Sequence, residues 1–345
     1  MKRNKVIILS ISSVFVIGIT ALISSLYTKI FARNVIENCT IYIPSNCNFE
    51  HLNDLLAPHL ENRGDFAWVA KLKKYQKNIK GGKYTLSKGM NTNELVNLLR
   101  SGNQSSLKLT FNNQHRLEDL AGRISKQIEA DSISLLSAFK EEQFLKNNGF
   151  TLATALGMYI PNSYQCYWNT SAEKFRAKML REYNRFWTTK RKELAKKQQL
   201  TPQQVTALAA IVQKETATVS ERPIVAGLYL NRYHSKWPLQ ADPTVIFALK
   251  EKYGQDFTVK RVLNKDKNTD SKYNTYKYTG IPPGPIAMPD ISSINAVLNP
   301  TKHGYFYMCA SIHKLGTHAF AKTLKQHNKN AIKYQIWISK QGIYR

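Results

Sequence analysis

The sequence predicts an α+β fold carried behind a single N-terminal transmembrane helix, and three observations support that reading. Residues 6–26 (VIILSISSVFVIGITALISSL) hold no charge and are mostly branched and apolar. The stretch from residue 35 to 111 alternates short β-patterned runs with amphipathic helical ones, the mark of a small α+β unit. Residues 112–345 then mix helix-length apolar patterns, brief strands and a loop rich in glycine and proline, as in a mixed α/β domain. The expected organisation is a cytoplasmic tail at 1–5, an anchor at 6–27 and domains at 35–111 and 112–345.

At 1.5 Å per residue, roughly 20 apolar residues span a bilayer core. Lys2, Arg3 and Lys5 precede the run, which favours an N-in orientation, although Lys29 and Arg33 on the far side weaken the contrast. A cleaved signal peptide is the competing reading, but the run is long and no clear small-x-small cleavage site follows it. Either way the rest of the chain leaves the cytoplasm and is expected at the plasma membrane, on its outer side. The net charge of +27 calls for an acidic partner, either anionic headgroups or an acidic polymer. The topology excludes nucleic acid. Cys39 and Cys47 lie close in sequence and are open to two readings, a disulfide or small buried hydrophobes.

In the first unit, Thr40 to Pro44 reads as a strand, followed by a helix around Phe49 to Leu60 and an amphipathic basic stretch from Trp68 to Lys80. Tyr84 and Leu86 alternate as in a strand, and Lys88-Gly89 marks a turn. Thr92 and Asn93 precede the Leu95, Leu98, Leu99 stripe of a helix, and Leu107 to Phe111 is a further strand. Residues 115–150 read as mostly helical, Leu156 to Tyr167 as extended or loop, and Ser171 to Lys197 as one long basic helix. The cations of that helix are most simply a solvated face.

Residues 201–217 are the richest segment. Thr201, Pro202 and Gln204 make a helix start: a hydroxyl cap, proline in the first turn and a glutamine three residues on. The stripe Val205, Leu208, Ile211, Val212, extended by one step, lands on Glu215 near the helix end. The helix dipole and partial burial both disfavour ionisation there, as a general acid at neutral pH requires. The plain alternative is an ion pair with Lys214, Arg222 or Arg232.

Ser220 is the expected cap of the next helix, whose stripe puts Asn231 on the packed side as a tie to a loop. Asp242-Pro243 reads as another cap and first turn, with Gln240 and Asp242 also placed to line a cleft. Residues 273–289 (YNTYKYTGIPPGPIAMP) form a loop with three tyrosines within six residues. Its aromatic faces suit sugars, and packing is the other use for them. Tyr305 to Ala310 reads as a strand, His318 and Phe320 share one face of the next, and His327 and Asn328 open a last helix. The four histidines from 303 to 327 lack paired ligand spacing and are read as structural, so no metal is expected.

Residues 207–249 (ALAAIVQKETATVSERPIVAGLYLNRYHSKWPLQADPTVIFAL) closely resemble the core of the YceG-like family, the endolytic lytic transglycosylases. The 273–289 loop, Ala296 to Pro300, and His318, Phe320, His327 and Asn328 are similar as well, and residues 81–102 resemble that family's small LysM-like domain. The family's catalytic glutamate sits in a K-E-T triplet, here Lys214-Glu215-Thr216. The chain departs from the common pattern at Gln213, Leu156 and Asn162, where acidic residues are usual; the first leaves Glu215 as the one carboxylate in its run. The resemblance implies cleavage of the MurNAc–GlcNAc bond of nascent peptidoglycan strands, with Glu215 as acid and then base. It further implies Gln240, Asp242, Thr244, Asn274 and Tyr276 as groups that bind or position substrate, no cofactor or metal, and the wall-synthesis machinery as partner. A hydrolytic muramidase and a non-catalytic peptidoglycan-binding scaffold are the alternatives.

Overall fold

The computed structural model describes residues 2–341; Met1 of the expected tail and residues 342–345 of the expected second domain lie outside it. Helix α1 (Lys2–Phe31) opens the chain. Its Ile11–Phe31 portion, 21 residues with a mean hydropathy of 1.8, is long and apolar enough to cross a membrane. Val14, Phe15, Ile17, Leu22 and Ile23 stand exposed along it, as side chains meant for a non-aqueous surrounding do.

Contacts divide the chain into two units. The first comprises residues 1–109, 127–130 and 164–171. It holds β1 (Cys39–Ile43), α2 (Phe49–Leu56), α3 (Arg63–Leu72), β2 (Gly82–Leu86) and α4 (Thr92–Ser101). β1 and β2 pair antiparallel, with Ile41 opposite Tyr84 and Cys39 opposite Leu86. Their alternation sends Ile41, Ile43, Tyr84 and Leu86 into one core with Leu52, Leu56, Phe66, Leu95 and Leu99. Asn91, not the Thr92-Asn93 pair, starts α4: it forms a capping box with Glu94, because Thr92 is already helical and buried. Gly102 closes that helix at φ 73°, the left-handed geometry that glycine adopts without strain. The expected helix to Leu60 is α-helical only to Leu56, then tightens into a 3₁₀ turn around Pro58.

Strands β3 (Leu107–Phe111) and β4 (Asn162–Cys166) form a second two-stranded pair. The second unit comprises residues 110–126, 131–163 and 172–345. Its helices are α5 (Leu117–Ser125), α6 (Ser132–Lys140), α7 (Glu142–Asn147), α8 (Ala172–Phe186), α9 (Thr189–Lys197), α10 (Pro202–Glu215), α11 (Arg222–His234), α12 (Asp242–Tyr253), α13 (Ile291–Leu298) and α14 (Leu324–Lys340). Strands β5 (Tyr307–Ala310) and β6 (His318–Ala321) pair antiparallel before α14. The expected single basic helix of 171–197 is two, α8 and α9. Buried Trp187 interrupts it, and Thr188 caps the second by accepting from the Arg191 amide.

Helix α10 begins as its sequence dictates, with Thr201 and Gln204 in a reciprocal capping box and Pro202 in the first turn. It is not an amphipathic surface helix, however. Every residue from Val205 to Val212 is buried, because α11 and α13 pack against it and α12 also contacts it. Ala207, Ala209 and Ala210 on the faces outside the expected stripe allow that approach. All four cysteines are free thiols. Cys39 and Cys47 pack at the edge of the first unit's core, and burial raises the pKa of both.

Candidate active site

Glu215 is the last residue of α10, and Thr216 leaves the helix in an extended conformation while its amide still bonds the Val212 carbonyl at 3.2 Å. Glu215 is half-buried, enclosed by protein but open to solvent on one side. The Tyr229 hydroxyl, on fully buried α11 surface, donates to Glu215 Oε1 at 2.7 Å. The cations weighed as ion-pair partners are all engaged elsewhere. Arg222 bonds Asp290 at 3.2 Å and Ser292 Oγ at 2.7 Å. Arg232 donates to the Phe306 and Leu239 carbonyls, and Lys214 lies 3.5 Å from His115 Nε2.

Burial is the main cause that pushes the Glu215 carboxyl up, to about 7. The negative charge of Asp242 adds to it, while the Tyr229 hydrogen bond and the positive potential of His318 and Arg232 oppose it. A carboxyl balanced there is half protonated at neutral pH. It can give a proton and take one back with little driving force in either direction. Burial and charge raise the Tyr229 hydroxyl far above its ordinary range, so it remains a donor.

Asp242 does not cap α12. Ala241 occupies the cap position without a side-chain bond, and Asp242 is the first helical residue. Its exposed carboxylate instead accepts from the Tyr276 hydroxyl at 2.6 Å. The structure thus brings Asp242 and Tyr276 together, within electrostatic reach of Glu215. Gln240 precedes them with φ 50°, a left-handed backbone that costs a non-glycine residue about 1–2 kcal/mol. The bonds from its amide to the Thr275 carbonyl (3.0 Å) and from the Ala241 amide to Thr275 Oγ1 (3.0 Å) hold that bend. Its side chain is exposed.

Thr244 and Asn274 have no surface to offer a ligand, as both are wholly buried. Thr244 Oγ1 donates to the Ala241 carbonyl at 2.7 Å and meets Thr275 Oγ1 at 2.8 Å. Asn274 Nδ2 donates to the Lys267 and Thr269 carbonyls, and its Oδ1 accepts from the Tyr276 amide at 3.0 Å. Of the two roles expected for them, direct binding does not fit this burial. Their bonds position the segments that carry Gln240, Asp242 and Tyr276.

Two groups that act near Glu215 carried no signal strong enough to be singled out as functional. Tyr229 looked like an ordinary position of α11, and Glu221 fastens β6, accepting from the His318 amide at 2.7 Å and from His318 Nδ1 at 2.9 Å while itself buried. Ser220 does not cap α11; a 3₁₀ turn over Val219–Glu221 runs directly into that helix. Asn231 ties the loop after α13, donating to the His303 and Tyr305 carbonyls at 2.9 and 3.0 Å. Gln213 accepts from Ser293 Oγ at 3.1 Å and from the Asp290 amide, so the residue that replaces the usual glutamate anchors the start of α13. Thr323 caps α14, which therefore starts three residues before His327. No cluster of metal-ligating side chains occurs among the described residues.

Glu215, half-buried at a helix end, bonded by Tyr229 and within electrostatic reach of Asp242, Arg232 and His318, is a carboxyl placed for acid–base chemistry. The chain belongs to the YceG-like family, whose model matches residues 41–333. It is 29% identical over 314 residues to the endolytic murein transglycosylase of Bacillus subtilis strain 168, covering 85% of this chain and 84% of that one. The Streptococcus pneumoniae D39 protein of the same name is 25% identical over 328 residues, and the chain spans 58% of its length. A crystal structure of a yceG-like protein from Listeria monocytogenes superposes with a TM-score of 0.55 at 28% identity. It covers 85% of this chain and 98% of that one.

Proposed function

We propose that this chain is an endolytic murein transglycosylase that cuts nascent peptidoglycan strands at the MurNAc–GlcNAc β-1,4 bond. The observation that carries the reading is Glu215, a carboxyl raised to about 7 by burial in a family whose curated relatives have that activity. Protonated Glu215 gives its proton to the glycosidic oxygen as the C1–O bond breaks. The resulting carboxylate takes the proton of the MurNAc C6 hydroxyl, whose oxygen closes on C1. The product is a 1,6-anhydro end, the carboxyl regains its proton, and no water is consumed. Tyr229 orients the carboxyl throughout, and Gln240, Asp242 and Tyr276 form the polar edge along which the sugars lie.

The apolar part of α1 is the anchor, with a short cytoplasmic tail before it, in a single-pass arrangement at the plasma membrane. The chain after the anchor then lies on the outer side, with a LysM-like domain at 35–111 that grips glycan and a catalytic domain at 112–345. An enzyme held there meets strands as they emerge and limits their length beside the wall-synthesis machinery. The net charge of +27 draws it to anionic headgroups and wall polymers.

The test is product analysis on purified peptidoglycan with the full-length chain. Anhydro ends are expected, with Glu215→Gln slower by at least about 100-fold. Wild-type turnover by the glutamine variant would refute the assignment. Asp242 favours a second reading, since a carboxylate near the acid is what a hydrolytic muramidase uses to direct water. In that case the ends are reducing and heavier by one water.

A further inference from the structure

The second unit carries an open cavity of about 380 Å³ lined by both Lys214 and Pro243, the chain neighbours of Glu215 and Asp242. Ile246, Phe247 and Ile286 give it an apolar wall, and His115, Arg116, Lys214 and Lys250 give it cations. Its one acid, Asp119, is already matched: Arg116 Nη2 lies 3.5 Å from Asp119 Oδ1. Lys214 faces only the His115 imidazole, at 3.5 Å, and neither Lys214 nor Lys250 has an acidic partner among the described residues.

Two ammonium groups lining one cavity without a counter-charge repel each other, and Lys214, though exposed, gives up part of its hydration. Accordingly burial, then the charge of Lys250, lowers the Lys214 pKa, and burial, then Lys214, lowers that of His115. A bound anion relieves both penalties, and the wall asks that it carry small aliphatic groups. Lys214 and Pro243 line the cavity and are the chain neighbours of Glu215 and Asp242, so a substituent of a sugar held at those two carboxyls is the occupant to consider.

We propose that this cavity is a subsite for the carboxylate of a short aliphatic peptide borne by the glycan strand. Lys214 and Lys250 receive the carboxylate, and Ile246, Phe247 and Ile286 receive the methyl groups. The proposal rests on the glycan-cleaving reading above.

Calorimetric titration of the full-length Glu215→Gln protein tests it without turnover. The ligands are a disaccharide-peptide, the same disaccharide stripped of peptide, and the free acidic peptide. The peptide-bearing sugar is expected to bind about tenfold tighter than the stripped one. Adding Lys250→Glu should erase that advantage, and Lys250→Gln, which keeps the aliphatic stem, should erase part of it. Equal affinity for the two sugars, or an equal loss on both in Lys250→Glu, overturns the subsite. If neither sugar binds while the free peptide still binds in a Lys250-dependent way, the carboxylate site stands and the glycan reading falls. No binding of any ligand overturns the subsite.

Discussion

Replacing Glu215 by glutamine should stabilise the protein, and only above acidic pH. The carboxyl is held at about 7 against an ordinary value of 4.5, chiefly by burial. A raised carboxyl pKa contributes stability that is fully present below 4.5 and is lost as pH rises through about 7. In between, the unfolded chain releases the proton to water while the folded one retains it, so folding weakens with each pH unit. At about 1.36 kcal/mol per unit, that interval sets a ceiling of about 3.4 kcal/mol. The open side of Glu215 admits some water, so about 2–3 kcal/mol is expected. Glutamine cannot ionise, and its Oε1 can still accept from Tyr229. For a unit of this size the gain corresponds to a melting temperature higher by roughly 5–10 °C at pH 8, vanishing at pH 4. Scanning calorimetry of both full-length proteins in detergent, from pH 4 to 9, reads the difference. Since every other group titrates in both proteins, parallel pH profiles would show that Glu215 is not held protonated by burial. A less stable variant at pH 8 would show the same.

Other perturbations reach the same site. In steady-state assays kcat/KM should fall as pH rises above about 7, where the acid form of Glu215 is lost; Tyr229→Phe removes a bond that lowers this carboxyl, so the fall should move to higher pH. Glu221→Ala strands the His318 amide and ring, with an expected cost of about 1–3 kcal/mol in denaturant melts and slower turnover. Glu221→Gln keeps an acceptor there and should recover part of both. Gly284→Ala would drive a methyl into the Ala153 carbonyl oxygen, so the 273–289 loop must shift. A loss of about 3 kcal/mol or more is expected in thermal unfolding, against near-neutrality for alanine at Gly122, whose surroundings are open.

Much of the local structure was legible because it is set by neighbours in sequence. The Thr201–Gln204 box, the β1 and β2 alternation and the apolar run of α1 each depend on a few adjacent residues and the period of their own element. The misreadings arose where a residue one or two positions away competes for the same task. Asn91 displaced Thr92-Asn93 as a cap, and the turn ending at Glu221 displaced Ser220. Trp187, buried against Tyr183 and Phe186, ended a helix whose charge pattern ran on without interruption.

By itself the sequence determined which acid stands at the end of α10, the cap and turn that start that helix, and a motif order that identifies the family. Only the tertiary structure decided what that acid faces. It surrounded α10 on all sides, raised Glu215 by burial more than by its place at a helix end, and turned Arg222 and Arg232 toward other partners. It also brought Tyr229 to the carboxyl and joined Asp242 to Tyr276 across 34 residues of chain. The physical reason is the same in each case: capping and periodicity are local properties. Desolvation, by contrast, is a sum over every atom that excludes water, and those atoms come from segments far apart in sequence.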